Sequence, residues 1–175
     1  GAMDIIAEDI SDDAALRKTL RELYFKKGTI SSKAADEEAE SVYTNYYDYS
    51  EPVNKIAGHR VLALDRGEKE DFLKVSVAVA GDEAEKLVCD KYVKNQSAAA
   101  GYVKLAAEDG FKRLIAPSIE REIRAELTAN AAEQAIKVFS SNLRQLLMQP
   151  PVKDSITLGL DPGYRTGCKL AVVDG

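Results

Sequence analysis

Between Pro117 and the Pro150-Pro151 pair, apolar side chains recur at helical spacing: Ile119, Ile123 and Leu127, then Ala131, Ala132, Ala135 and Ile136, then Phe139, Leu143, Leu146 and Leu147. At 1.5 Å per residue this is one helix of about 45 Å. Intrinsic propensity does not hold so long a helix, so it is predicted to be the spine against which the rest of the chain packs. The small residues Ala129, Ala131, Ala132 and Ala135 predict the close approach of another helix. Helical spacing begins further upstream at Ser97, lined by Tyr102, Leu105 and Ala106 and then by Phe111, Leu114 and Ile115. Pro117 has no N–H and crowds the preceding turn, so it is predicted to end or kink that first part.

The pattern before Ser97 is more varied. Residues 12–27 place Leu16, Leu20, Leu23 and Tyr24 on one helical face, with Ser11 as N-cap, Asp12 and Asp13 at the positive end, Lys26 and Lys27 at the negative end, and Gly28 as the stop. Residues 33–47 read as an Ala/Glu-rich helix that ends in Tyr43, Tyr46 and Tyr47, with Tyr49 just beyond. Such tyrosines brace a helical turn, burying a ring while the hydroxyl finds a partner; a stacking platform for bases is the alternative. Ser50-Glu51-Pro52 restarts the chain as a short helix to Ile56, which Gly58 breaks. Residues 59–70 form the next helix and bury Val61, Leu62 and Leu64. Leu73, Val75, Val77 and Val79 alternate with Lys74, Ser76 and Ala78, which is the period of a strand over 72–80. Gly81 and Asp82 turn the chain into a helix over 83–93 with Leu87, Val88 and Tyr92 inward.

After a linker at 150–155, Ile156, Leu158 and Leu160 and then Leu170, Val172 and Val173 flank Asp161-Pro162-Gly163 and Thr166-Gly167, the signature of a β-hairpin. The expected fold is therefore mainly α. It is a multi-helix domain over 4–149 with one long central helix and a small β element near 72–80, followed by a hairpin over 156–175. Two strands alone are marginal, and unpaired edges recruit other strands. The hairpin is expected to fray, or to be ordered by packing on the helices, by pairing with 72–80, or by pairing with a second copy. Any dimer is expected to form through it.

The net charge of −5 removes the global drive for phosphate binding, which rests on lysine and arginine. Basic residues gather at Arg17, Lys18, Arg21, Lys26 and Lys27 and at Lys112, Arg113, Arg121 and Arg124, but acids interleave with them, the mark of solvated helix faces. No apolar run reaches membrane-spanning length. Cys89 and Cys168 have no metal-ligand spacing and read as reduced thiols of a cytoplasmic protein, and neither metal nor cofactor is expected. The lone His59 reads as a capping or packed residue. Gly159, Gly163 and Gly167 follow a strand, yet neither a helix start nor a Gly-Lys-Ser/Thr ending follows, which argues against a nucleotide loop. Asp161 with Pro162 and Gly163 reads as an Asx-type turn that closes the hairpin.

Several motifs in order resemble one family. Ile10-Ser11-Asp12-Asp13-Ala14, Asp48-Tyr49-Ser50-Glu51-Pro52, Lys55-Ile56, His59-Arg60-Val61-Leu62-Ala63 and Arg66-Gly67-Glu68 resemble the Tex family of bacterial transcription accessory proteins. Gly159-Leu160-Asp161-Pro162-Gly163 resembles the start of a YqgF or ribonuclease-H-like domain. The match runs from about residue 4 onward, and Gly1-Ala2-Met3 resembles an expression scar.

The resemblance implies a slice of a longer protein, from its N-terminal helical region into the first hairpin of the YqgF-like domain. It implies a non-catalytic scaffold whose intact form binds nucleic acid, RNA above all, through other domains, with the transcription machinery as a further partner. Asp161 takes the position of the first ribonuclease-H-like carboxylate, and Arg60 and Arg66 become the nucleic-acid contacts to test. Two alternatives stand beside it: the N-terminal part of a metal-dependent nuclease or resolvase, and a helical protein-interaction module. One carboxylate cannot hold the two metal ions that the nuclease needs.

Overall fold

The computed structural model describes residues 1–94, 99–150, 153–165 and 167–174. The chain is mainly helical. Its elements in order are α1 (Ala2–Ser11), α2 (Ala14–Lys27), β1 (Gly28–Ala34), a 3₁₀ turn at Thr44–Tyr46, β2 (Asp48–Pro52), α3 (Gly58–Lys69), β3 (Leu73–Val79), α4 (Glu83–Tyr92), α5 (Ala100–Gly110), a π turn at Phe111–Ile115, α6 (Ala116–Leu147), β4 (Thr157–Gly163) and β5 (Gly167–Val173). Two compact units divide it, residues 1–136 and 137–175, and the division falls within α6. No described helix is long and apolar enough to cross a membrane.

The first unit is built on an antiparallel sheet of order β2-β1-β3. Ile30 lies opposite Glu51 on one side and Val77 on the other, and Ser32 opposite Tyr49 and Val75. The alternation read over 72–80 is realised: Leu73, Val75 and Val77 are buried, while Lys74, Ser76 and Ala78 are exposed. Their inner face joins Leu16, Leu20 and Tyr24 of α2, Leu64 of α3, Val88 of α4, and Ile119 and Ile123 of α6 in one core, with Ile115 of the π turn. Gly28 lets α2 pass directly into β1, since a Cβ there would lie 2.2 Å from the Tyr24 carbonyl oxygen. Between α3 and β3 the chain turns at Asp71, whose φ of 61° is left-handed.

The long helix is present and has 32 residues, about 48 Å. Its first half is the expected spine: Ile119, Ile123 and Ala131 are buried, and a Cβ on Gly58 would lie 3.3 Å from Ala131, the close approach its small residues predict. The second half is not packed. Ile136, Phe139, Leu143, Leu146 and Leu147 are all exposed. Pro117 sits in the first turn of α6 immediately after the π turn, and helical structure runs on across it rather than ending there. The expected start of the upstream helix at Ser97, the Pro150-Pro151 stop, the linker across 151 and 152, and the Thr166 part of the hairpin turn fall at least partly outside the described residues.

Several expectations are corrected. Residues 33–47 are not a helix. Ala34 and Ala35 continue the ladder through N–H bonds to the Tyr47 and Phe72 carbonyls, and beyond them Asp36 accepts from the Glu38 N–H and Ser41 from the Tyr43 N–H. Such local side-chain bonds compete with helix formation. Ser50, Glu51 and Pro52 belong to β2, where Pro52 on an edge strand forfeits no ladder bond, and only one turn follows, closed by bonds from the Lys55 and Ile56 N–H groups to the Pro52 carbonyl. Ser11 ends α1, and Asp13 caps α2 by accepting the Leu16 N–H at 3.0 Å. Gly58 opens α3 rather than breaking a helix.

α1, unforeseen and beginning in the presumed scar, packs on α5, where a Cβ on Gly110 would lie 3.2 Å from Ala7. That contact turns Ala106 and Ala107 inward and leaves Tyr102 and Leu105 exposed, contrary to the lining expected there.

In the second unit, β4 and β5 pair from Thr157↔Val173 to Gly163↔Gly167 as a separate two-stranded sheet. Pairing of the hairpin with residues 72–80 is not what is found: β4 and β5 form a sheet of their own, and on the edge of β3 away from β1 the Val75 and Val77 N–H groups go to Glu68 and Glu120.

Candidate nucleic-acid interface

The sequence motifs from Asp48 to Glu68 converge on a joint between β2 and α3. Glu51 lies on the same side of β2 as Tyr49, and Arg60 in the first turn of α3 reaches both its oxygens, at 3.1 and 3.0 Å. Tyr49, two residues before Glu51 and so on the same side of the strand, donates its hydroxyl to that carboxylate and accepts Arg60 at 3.4 Å. The Tyr49 hydroxyl bond, reinforced by Arg60, holds the Glu51 carboxyl below its usual range, and burial raises the Tyr49 hydroxyl. Tyr46 packs edge-on to Tyr49 with ring centroids 5.3 Å apart. The dense tyrosines thus brace strand and 3₁₀ turn: Tyr43 is buried and bonds Glu70 at 2.8 Å.

Arg60 is therefore a partly neutralised positioning side chain. Arg66 lies six residues further along α3, about 120° around its axis, so the helix does not bring the two onto one face. Arg66 is exposed and makes no ion pair among the described residues. His59 is exposed in the first turn of α3 rather than packed.

Several other basic residues are similarly engaged. Arg17 pairs with Glu122 and bonds Ser118 at 2.6 Å, and Arg21 reaches Glu126 at 3.0 Å. Lys27 meets Glu83 at 2.6 Å, Lys112 meets Glu85 at 3.1 Å, and Arg113 meets Asp109 at 2.9 Å. Arg124, half-buried, forks between Glu68 and Asp65, and Thr128 one turn on bonds Asp65 at 2.6 Å. Burial works against the charge of Glu68, yet Arg124 and the Val75 N–H keep its carboxyl below the usual range. Of the basic residues that cluster in sequence, Arg17, Arg21, Lys27, Lys112 and Arg124 are thus paired with carboxylates of neighbouring helices, and no ion pair is found among the described residues for Lys18, Lys26 and Arg121.

A further joint ties α2 to α4. Asp13 accepts from Lys91 and Tyr92 while capping α2, which holds its carboxyl well below the carboxylate range. Burial and then Asp13 push the Tyr92 hydroxyl up to about 12. Sequence reading missed this joint and the Arg124 fork. The spacing of Asp65 and Glu68 on α3 and of Arg124 and Thr128 on α6 was the available signal for the fork.

Beside α4 and α5, an open groove of about 480 Å³ is lined by Glu85, Cys89, Lys104, Glu108 and Lys112 among others. Burial raises the Cys89 thiol, aided by Glu108 and Glu85, so it is a poor nucleophile.

Asp161 lies within β4 opposite Lys169 and is exposed. It is in the ladder rather than in an Asx turn; the described turn residues are Tyr164 and Arg165. Among the described residues no group of three or more Asp, Glu, His or Cys is placed to hold a metal ion. The strand after Gly163 returns directly as β5, the arrangement that argued against a nucleotide loop.

The family model described as Tex central region-like matches residues 1–139. The chain is 51% identical over 178 residues to the uncharacterized protein YdcI of Bacillus subtilis, covering 99% of this chain and 25% of that protein. It is 32% identical over 190 residues to Protein tex of Bordetella pertussis, with 99% and 24% covered, and 32% identical over 189 residues to S1 RNA-binding domain-containing protein 1 of Homo sapiens, with 99% and 19% covered. The chain spans about a quarter or less of the length of these relatives.

Proposed function

This chain belongs to the Tex central region-like family, and from that premise we propose that it is a non-catalytic scaffold of a cytoplasmic transcription accessory protein whose nucleic-acid partner, RNA, is bound by other parts of the polypeptide. The observation that carries this reading is the engagement of its basic side chains by its own carboxylates, from Arg17–Glu122 to Arg124–Glu68. Arg17, Arg21, Lys27, Lys112 and Arg124 are spent holding helices together. Arg66 is the contact we favour on this chain, and Arg60 supports it by fixing β2 against α3.

The name of the human relative refers to RNA binding, which supports RNA as the partner class. The hairpin, in this reading, opens a YqgF-like domain, with Asp161 at its first carboxylate position. A metal-dependent nuclease is the alternative, and it rests on the resemblance of Gly159-Leu160-Asp161-Pro162-Gly163 to the start of a ribonuclease-H-like domain.

Titrating the chain with single- and double-stranded RNA and DNA at several salt concentrations tests the scaffold. The expected result is binding no tighter than about 10⁻⁵ M at physiological salt, within the non-specific range. Binding on the order of 10⁻⁷ M that is lost in Arg66→Ala would place the interface here instead. With magnesium or manganese present, no cleavage is expected; cleavage abolished by Asp161→Asn would establish the nuclease reading.

A further inference from the structure

β3 has a strand neighbour, β1, on one side only. Its other side is met by side chains instead of a strand: Glu120 accepts the Val77 N–H at 2.9 Å, Glu68 accepts the Val75 N–H at 3.2 Å, and Arg124 donates to the Val75 carbonyl at 3.4 Å. The match is one of spacing. Glu120 and Arg124 stand one turn apart on α6, a rise of about 6 Å, and alternate residues of a strand stand about 6.7 Å apart, so one face of a helix running antiparallel to β3 meets its successive outward groups. Arg124 also bonds the Glu68 carboxylate at 3.1 Å and Asp65 at 3.3 Å, and Thr128 holds Asp65 in turn at 2.6 Å. These bonds fix the three side chains against the edge, and all are made within the first unit, whatever else the polypeptide carries.

The sequence of the sealed strand says what the seal excludes. Val75-Ser76-Val77-Ala78-Val79-Ala80 is six residues without a charge, proline or glycine, β-branched at every second position and small between. Segments of this kind stack in register on copies of themselves, each backbone group pairing with the copy above and below. An N–H already given to a carboxylate cannot start such a ladder. The opposite edge of the sheet, β2, carries Asp48 and Pro52, which blunt it without help from elsewhere.

We propose that Glu68, Glu120 and Arg124 act as a guard on β3, an intramolecular contact that keeps residues 75–80 from pairing with the same segment of a second copy. With the guard removed, the chain assembles through β3.

Sedimentation and thioflavin T fluorescence of the whole chain, with the parent as reference, test the guard. Glu68→Ala/Glu120→Ala should keep its helical circular dichroism and exchange its Val75 and Val77 amides fast when dilute. On concentration it should assemble about tenfold faster than the parent or more, with those amides slow in the assembled form. Glu68→Gln/Glu120→Gln keeps both acceptors and should stay at the parent's rate, as should Leu20→Ala, which loosens the buried core without touching the edge. Assembly of the folded alanine variant no faster than the parent's overturns the proposal. So does assembly in which Val75 and Val77 stay fast, which would place the contact elsewhere, the hairpin included. Equal acceleration in Leu20→Ala would assign the effect to unfolding, and in the glutamine pair to lost charge; either overturns the guard. Should the double alanine variant lose its helical signal, Glu120→Ala alone, which frees only the Val77 N–H, is read by the same criteria.

Discussion

In the β2-β1-β3 sheet, Leu73, Val75 and Val77 are buried against side chains of α2 and α6, whereas in the β4-β5 hairpin Leu158, Leu160, Leu170 and Val172 are 60–67% exposed. The open edge of β3 is also sealed. Glu68 accepts the Val75 N–H at 3.2 Å, Glu120 accepts the Val77 N–H at 2.9 Å, and Arg124 donates to the Val75 carbonyl at 3.4 Å. Both sheets are antiparallel ladders of similar strand length, so the ladder is not what separates them. What separates them is the helical cover on one face and the charged side chains on the edge, which are the means by which natural sheets avoid unwanted partners.

The largest expected effect comes from cutting the same amount of side chain in the two places. Ile119→Ala empties a fully buried site beneath the sheet and should cost about 2–5 kcal/mol. Leu160→Ala, on the exposed hairpin, should lie within about 0.5 kcal/mol of the parent. Urea unfolding of both variants measures this. Equal losses would mean that the hairpin buries Leu160 in solution, and the contrast between the sheets would collapse.

A second test asks whether the first unit is held by charge as well as by cover. Asp13→Ala removes the cap of α2 and the acceptor of Lys91 and Tyr92, and should cost about 1–2 kcal/mol near neutral pH. Because the folded carboxyl titrates well below the unfolded value of about 4, its contribution is complete above that pH and fades as the pH falls. The opposite limb belongs to Tyr92. Its hydroxyl is raised to about 12, so its contribution is complete below the unfolded value of about 10 and is lost as the pH climbs through 12. Asp13→Asn should flatten the acid limb and Tyr92→Phe the alkaline one in chemical-denaturation curves. Hairpin substitutions should change neither.

What the sequence disclosed follows the same division. Elements whose pattern answers to a local rule were legible: the period of two in β3, the helical faces of α2 and α3, the length of α6, and the two strands of the hairpin, although Asp161, Pro162 and Gly163, read as its turn, belong to β4. Elements that exist because of a distant partner were not. Gly28–Ala34 holds Ser31 and Ser32, poor strand formers, and becomes a strand because β2 and β3 flank it on both sides. The inward face of α5 was misread because its large residues, Tyr102 and Leu105, point away from the small Ala7–Gly110 contact that orients it. At the candidate site, Arg60 and Arg66 stood out as charges, but nothing local announced that Glu51 lay opposite Arg60. A charge is legible in sequence while its neutralisation is a property of the fold.

The smallest effect is the most specific to the sealed edge. In an antiparallel pair alternate residues turn their N–H groups outward, and on β3 these include Val75 and Val77, which donate to carboxylates instead of to a strand. Glu120→Gln keeps an acceptor for the Val77 N–H and should change stability by less than about 0.5 kcal/mol, whereas Glu120→Ala leaves that N–H without its partner and should cost about 1 kcal/mol. Native-state amide exchange reads the difference directly. In the parent chain the Val75 and Val77 amides should exchange slowly despite belonging to an edge strand, and Glu120→Ala should speed Val77 while sparing Val75, which Glu68 still holds. Outward amides of β4 and β5 should exchange fast in every variant. If they prove as slow as Val77, the hairpin edge is sealed too, and what closes it must come from a partner strand rather than from a carboxylate of this chain.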